Sequence, residues 1–228
     1  KGAKAREGFR TLYYGTGENC HYRAEEVRVE NGRPAFTAVC GEKRVPVRLN
    51  VLGLHNVSNA MAALAAAEES GIPMENAAAA LEEFRGFQHR QQIFEKDGIT
   101  VLDDTYNASP VSMKAAIEVL AGLDRKGRHI AVLADMKELG EETERFHYEV
   151  GAFLKDFPVD VLVTCGELAG RIGDGAEECG GAGSVRRFLD REEMADFLKG
   201  CLQPGDCVLF KGSNSMGLSK VAELFYKE

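Results

Sequence analysis

The sequence predicts an α/β protein, with a β-plus-helical first part and a mostly parallel, doubly wound sheet in the second. Three observations predict it. Before residue 50 apolar side chains alternate with charged ones at a period of two. From residue 91 onward short apolar, β-branched runs alternate with helical stretches, the pattern of βαβ units. Apolar residues make up 44% of the 228 and charged residues 28%, an ordinary globular balance that can build a core.

The elements follow in order. Arg10 to Tyr14 is aromatic and β-branched and predicts a strand; Val27 and Val29 alternate with charges in the next one. Glu30-Asn31-Gly32-Arg33 has the composition of a hairpin turn. Alternation continues through Phe36–Val39 and resumes at Val45, Val47 and Leu49. A helix over 56–70 closes on Gly71, and Pro73 opens a second helix over 74–84. Strands at 91–95 and 99–102 flank Asp97-Gly98, a tight turn. Helix 111–123 leads to strand 129–133, and helix 141–155 to strand 159–164. A glycine-rich loop at 180–183 precedes a short strand near 185–188. Helix 191–199 leads to strand 207–210, and a last helix is expected over 216–226. The boundary between the two parts is expected between Gly86 and Gln92. The opening run, Lys1 to Gly8, reads as a polar helix remnant, which suggests a fragment of a longer protein.

Bulk properties exclude several classes. A net charge of −8 argues against a duplex nucleic-acid partner, because phosphates would be repelled rather than steered. The six cysteines, at 20, 40, 165, 179, 201 and 207, show neither C-x-x-C nor zinc-finger spacing, so reduced thiols of a cytoplasmic protein are expected. The most apolar run, Ala60 to Ala67, is far short of the roughly 20 residues a bilayer requires. No membrane association is expected.

In open α/β sheets ligands sit beyond the carboxyl ends of the strands. Those ends carry Asp103 to Asn107, then Ala134 to Lys137, then Cys165-Gly166-Glu167, then Lys211-Gly212-Ser213. Asp and Ser capping the following helices account for part of this polar rim. Neighbouring side chains on a strand point to opposite sides, so only one of Asp103 and Asp104 is expected in a site, and Asp104 is the choice. It suits a ribose diol, a metal ion or an ammonium group. Lys211 is equally an anion holder or a surface lysine extended along apolar surface. Asn56 and Asn59 stand three apart on one helical face, and a carboxamide matches the donor–acceptor edge of adenine. On spacing alone, Asn56 or Ser58 as a helix N-cap with Asn59 solvated is the favoured role. No G-x-x-x-x-G-K-[ST] phosphate loop, dinucleotide fingerprint or nucleophile–histidine arrangement is present.

Taken together, the segments 53–63 (GLHNVSNAMAA), 102–110 (LDDTYNASP), 134–140 (ADMKELG) and 210–213 (FKGS) resemble the Mur ligases. The first is shared across that superfamily; DDTYNASP and DMKELG look most like members that add D-alanyl-D-alanine to UDP-N-acetylmuramoyl-tripeptide. The resemblance covers roughly residues 10 to 228. It implies that residues 1–87 are the C-terminal part of a central ATP-binding domain and 88–228 a Rossmann-like C-terminal domain. It further implies an ATP-dependent carbon–nitrogen ligase of peptidoglycan precursor synthesis, working with magnesium through an acyl-phosphate intermediate. The phosphate loop, magnesium ligands and a carbamylated lysine would lie upstream of Lys1, and the chain alone would be inactive. By the same resemblance Asn56 and Asn59 contact adenine and Asp104 the ribose. Arg90 reaches the ATP phosphates on closure, and Tyr106, Asn107, Lys211 and Ser213 line the dipeptide side. Arg90 and Lys211 are the expected catalytic residues. The family usually has Gly-Arg where this chain has His89-Arg90. Small-molecule partners and a monomer are expected.

Two alternatives remain. A response-regulator receiver would use Asp103, Asp104, Asp135, Thr164 and Lys211, but usually has proline after its lysine, and it leaves residues 1–87 unexplained. Another amide ligase, such as a folylpolyglutamate or cyanophycin synthetase, keeps the fold and changes the substrate; DDTYNASP argues against it.

Overall fold

A computed structural model describes residues 10–30, 32–123 and 126–227, which divide into two compact units meeting in sequence at Arg85 and Gly86. The opening run expected as a helix remnant, and Asn31 of the expected turn, lie outside the described residues. No helix among the described residues is long and apolar enough to cross a membrane.

The first unit holds β1 (Tyr14–Gly15), β2 (Tyr22–Glu30), β3 (Arg33–Cys40), β4 (Lys43–Arg48), α1 (His55–Glu69) and α2 (Met74–Glu83). Its sheet runs β1-β2-β3-β4, antiparallel except for the short β1. Glu30 faces Arg33, and Gly32 takes φ +75°, as a two-residue hairpin loop requires. The alternating residues Phe36, Val45 and Val47 face α1 and α2 through Val57, Met61, Leu64 and Met74. Gly71, at φ +84°, ends α1 in the left-handed conformation that glycine adopts without penalty. The strand expected over 10–14 shrinks to two residues. Tyr13 and Tyr14 stay about half exposed, and β-propensity has little force where a side chain finds no surface to pack on.

The second unit holds β5 (Gln92–Lys96), β6 (Ile99–Asp104), α3 (Pro110–Ala121), β7 (His129–Ala134), α4 (Thr143–Phe153), β8 (Val159–Cys165), α5 (Gly170–Cys179), β9 (Ala182–Phe188), α6 (Arg191–Cys201), β10 (Cys207–Lys211) and α7 (Leu218–Glu223). Strand order is β5-β6-β10-β7-β8-β9, with every pairing parallel except β5 to β6. Asp97 and Gly98 both take positive φ, the backbone of a type I′ turn. All residues of β7 and β10 are buried, which is why these strands read as unbroken apolar runs.

Two features of this unit differ from expectation. Helix α5 occupies a stretch to which the sequence assigns no element, because glycines 170, 173 and 175 depress helix propensity. Gly175 serves contact instead: a methyl there would lie 2.8 Å from the Ala152 nitrogen of α4, so the two backbones touch. The last helix ends at Glu223 rather than 226, since Leu224 to Tyr226 continue only as turns.

Buried His147, on α4, ties the loop after β7 in place. Its Nε2 accepts from the Met136 N–H at 2.9 Å, and its Nδ1 donates to the Thr143 carbonyl at 2.7 Å. The Nε2 contact needs the neutral ring, and burial lowers its pKa below the usual histidine value. The unfolded chain therefore takes up a proton that the folded one refuses. This stabilisation is full above the unfolded pKa of about 6.5 and is lost as pH falls through it toward the depressed folded value. Urea midpoints recorded from about pH 7 to about pH 5 should fall in the parent and fall less in His147→Gln.

Candidate functional site

Strand register assembles the rim. Lys211 on β10 pairs with Asp104 of β6 on one side and Leu133 of β7 on the other, so three strand ends meet at the sheet's switch point. The side chains then lock together. Lys211 Nζ lies 2.7 Å from Asp104 Oδ2 and donates to the Asn107 carbonyl at 2.9 Å, with the lysine only 2% exposed. A surface-lysine role is thereby excluded. Burial raises the Asp104 pKa and lowers that of Lys211, while their mutual attraction works against both shifts. Asp104 also accepts from the Gln91 backbone. The Lys211 ammonium bonds within the protein, to Asp104 and to the 105–109 loop.

Outside this pair the site is cationic. Arg90 sits with its guanidinium carbon 4.1 Å from the Tyr106 ring centroid. Tyr106 is 47% exposed, and Arg90 has no carboxylate within salt-bridge reach among the described residues. Arg90 is near enough to add to the lowering of the Lys211 pKa, after burial. Arg90 thus lies beside the Asp104–Lys211 pair without joining it, and a planar guanidinium stacked on an aromatic ring offers its N–H donors to an oxyanion.

Asp103 is also buried but serves structure. It accepts from His89 Nδ1 at 2.8 Å, Tyr226 OH at 2.7 Å, and both the amide and the hydroxyl of Thr105. Asp135 is similarly filled, accepting from the amides of Leu168 and Ala169 and from Lys137 Nζ. Ser213 Oγ accepts from the Lys137 amide at 2.9 Å, and Ser213 is 6% exposed, so it joins the β10 end to the loop after β7. Asn107 is exposed, with its side-chain oxygen held by the Ala108 amide. Sequence reasoning missed the roles of His89, Tyr226 and His147. Tyr226 lies 123 positions from Asp103, and no local pattern announces that contact.

In the first unit, Asn56 Nδ2 donates to the Leu52 carbonyl at 2.7 Å, and Asn59 Nδ2 donates to Asn56 Oδ1 at 2.9 Å. The N-cap is Leu54, without a side-chain cap bond, so neither Asn56 nor Ser58 caps α1. The carboxamide of Asn59 is exposed, oriented by Asn56, and keeps its oxygen and one N–H for a ligand. The magnesium implied by the resemblance finds no group of three or more ligating His, Cys, Asp or Glu side chains among the described residues.

Comparison with known proteins decides the family. Residues 89–214, more than half of the chain, match the Mur ligase glutamate ligase domain, and residues 1–67 match the Mur ligase middle domain. The chain belongs to the Mur ligase family. This Mur ligase chain is 35% identical over 214 residues to the UDP-N-acetylmuramoyl-tripeptide–D-alanyl-D-alanine ligase of Bacillus subtilis (strain 168), covering 93% of the chain and 46% of that protein. The Escherichia coli (strain K12) ligase of the same name is 31% identical, with 89% and 44% covered. Among solved structures, MurF from Acinetobacter baumannii superposes with a TM-score of 0.83 at 29% identity, covering 95% of this chain and 47% of that one. MurF ligase from Thermotoga maritima, in complex with ADP, gives 0.76 at 26% identity, with 94% and 48% covered. The chain thus spans less than half the length of these relatives. The receiver alternative falls with the family, and its acids are already occupied by Lys211, His89, Tyr226 and backbone amides.

Proposed function

We propose that this chain forms part of the ATP-dependent ligase that joins D-alanyl-D-alanine to UDP-N-acetylmuramoyl-tripeptide, in peptidoglycan precursor synthesis in the cytoplasm. The observation that carries the reading is the cationic cluster of Arg90, Tyr106, Asp104 and Lys211 at the strand ends. Similarity to ligases named for this reaction supports it.

The chemistry asks for such a cluster. A carboxylate is a poor electrophile, so the γ-phosphoryl group of ATP passes to the terminal carboxylate of the tripeptide, leaving ADP and an acyl phosphate. The dipeptide amine attacks the acyl carbon, the tetrahedral intermediate expels phosphate, and the nitrogen loses a proton. Negative charge builds on phosphoryl oxygens and then on the acyl oxygen. A fixed guanidinium stabilises such charge best when it needs no reorganisation, and Arg90 is held on the Tyr106 ring. Asn59, set by Asn56, reads the adenine edge. Asp104 keeps lone pairs beyond its Lys211 and Gln91 contacts for a ribose hydroxyl. Tyr106 and Asn107 face the dipeptide on a loop that Lys211 positions, and the buried Ser213 ties the adjoining strand end to the loop after β7.

Steady-state kinetics of the complete ligase test the nucleotide assignment. Asn59→Ala should raise the KM for ATP about tenfold, the worth of one or two lost neutral hydrogen bonds, and leave the KM for D-alanyl-D-alanine unchanged. Equal rises in both constants would remove it.

A further inference from the structure

The segment that presents Arg90 has an unusual backbone. His89 at φ +58° and Gln91 at φ +50° flank the arginine, both in the left-handed region that bulky L residues rarely adopt. Such a conformation persists only where the surroundings over-determine it. Here the surroundings are specific. The His89 carbonyl accepts from the Tyr106 amide at 3.0 Å, its amide donates to Gln92 Oε1 at 3.1 Å, and the Gln91 backbone donates to Asp104. The imidazole itself anchors through Nδ1 to Asp103 Oδ2 at 2.8 Å, and its Nε2 lies 3.9 Å from Glu223 Oε1.

Asp103 is a prepared anchor. The same oxygen takes the Tyr226 hydroxyl at 2.7 Å, and that ring stacks on Phe94 at 3.9 Å between centroids, almost parallel. Thr105 fixes the other oxygen. The carboxylate is fully buried, so its direction is set before His89 binds it. Arg90 and Tyr106 are each one residue from an anchored position, His89 and Thr105, and the Tyr106 ring is the platform on which the guanidinium lies. One buried carboxylate therefore fixes both the arginine and its platform.

We infer that His89 is a positioning residue for Arg90. Bonded to the Asp103–Tyr226 pair, it holds the guanidinium on the Tyr106 ring, in the place where the phosphoryl oxyanion is met. The inference rests on the role proposed above for Arg90. Mobility in this segment would leave ATP binding largely intact and slow phosphoryl transfer, because pre-set geometry matters most where charge develops.

Four variants of the complete ligase, assayed with their thermal unfolding recorded, test this. Arg90→Ala should lower kcat by about 100-fold or more, the usual loss for a charge-stabilising donor. His89→Gly keeps the backbone at ease but removes the imidazole, and should lower kcat about tenfold with the KM for D-alanyl-D-alanine unchanged. His89→Asn should recover most of that loss, because its amide N–H stands where Nδ1–H stood and asparagine tolerates positive φ. Tyr226→Phe should fall between His89→Gly and the parent. Parent-like kcat in His89→Gly beside a crippled Arg90→Ala would overturn the positioning role while leaving Arg90 its function. An Asn variant as slow as the Gly variant would overturn it too. Full activity in Arg90→Ala would overturn the underlying reading of the site.

Discussion

Lys211→Met alone should lower unfolding stability by about 3–5 kcal/mol, the usual loss when one partner of a buried ion pair is removed. The lysine is 2% exposed and Asp104 7%, so deleting the ammonium leaves an unpaired and largely desolvated carboxylate. The Asn107 carbonyl loses a donor in the same step. The pair itself adds much less than this figure, because two desolvated ions offset most of their own attraction. The Asp104→Asn/Lys211→Met double variant should therefore recover most of the lost stability. Urea titration of all the variants closes the cycle. A single-variant loss below about 1 kcal/mol would show that the ammonium is not held in the protein as described.

Gly151→Ala should destabilise, at the upper end of the roughly 1–3 kcal/mol typical of overpacking, although alanine is the better helix former. A methyl there would fall on the Ile172 carbonyl oxygen and stand 2.9 Å from the Ala176 nitrogen, and neither is a side chain that can swing away. Gly200→Ala on α6 supplies the opposite sign. Nothing lies within 4 Å of the added methyl, so it should stabilise by about 0.5–1 kcal/mol. Denaturant midpoints falling for the first and rising for the second are the expected result. A stable Gly151→Ala would mean that α4 and α5 do not meet backbone to backbone.

That contact also explains what sequence could not disclose. The fold class was legible because period-two alternation, unbroken apolar strands and turn chemistry such as Asp97-Gly98 are local signals. Helix α5 was not, because three of its ten residues are glycine, and the reason for two of them, Gly173 and Gly175, lies in Arg187, Tyr148 and Ala152. Single-chain propensity cannot weigh a partner that is distant in sequence. The rim behaves likewise. Asp104 and Lys211 were each visible at a strand end, but their pairing depends on register across 107 positions. The Asn56–Asn59 spacing was visible, whereas its hydrogen bonding, with Leu54 in place of a polar cap, was not. Asp103 read as the twin of Asp104 until His89 and Tyr226 closed around it.

The place of β10 has a consequence for how the chain is made. It is the last strand in sequence, yet it lies between β6 and β7. Until residues 207–211 leave the ribosome, β6 and β7 have no common neighbour, and each shows a ladder of unpaired amides and carbonyls. The nascent second unit cannot mature strand by strand. Its assembly waits on one late insertion, a long-range step that slows folding and leaves the waiting edges open to mispairing.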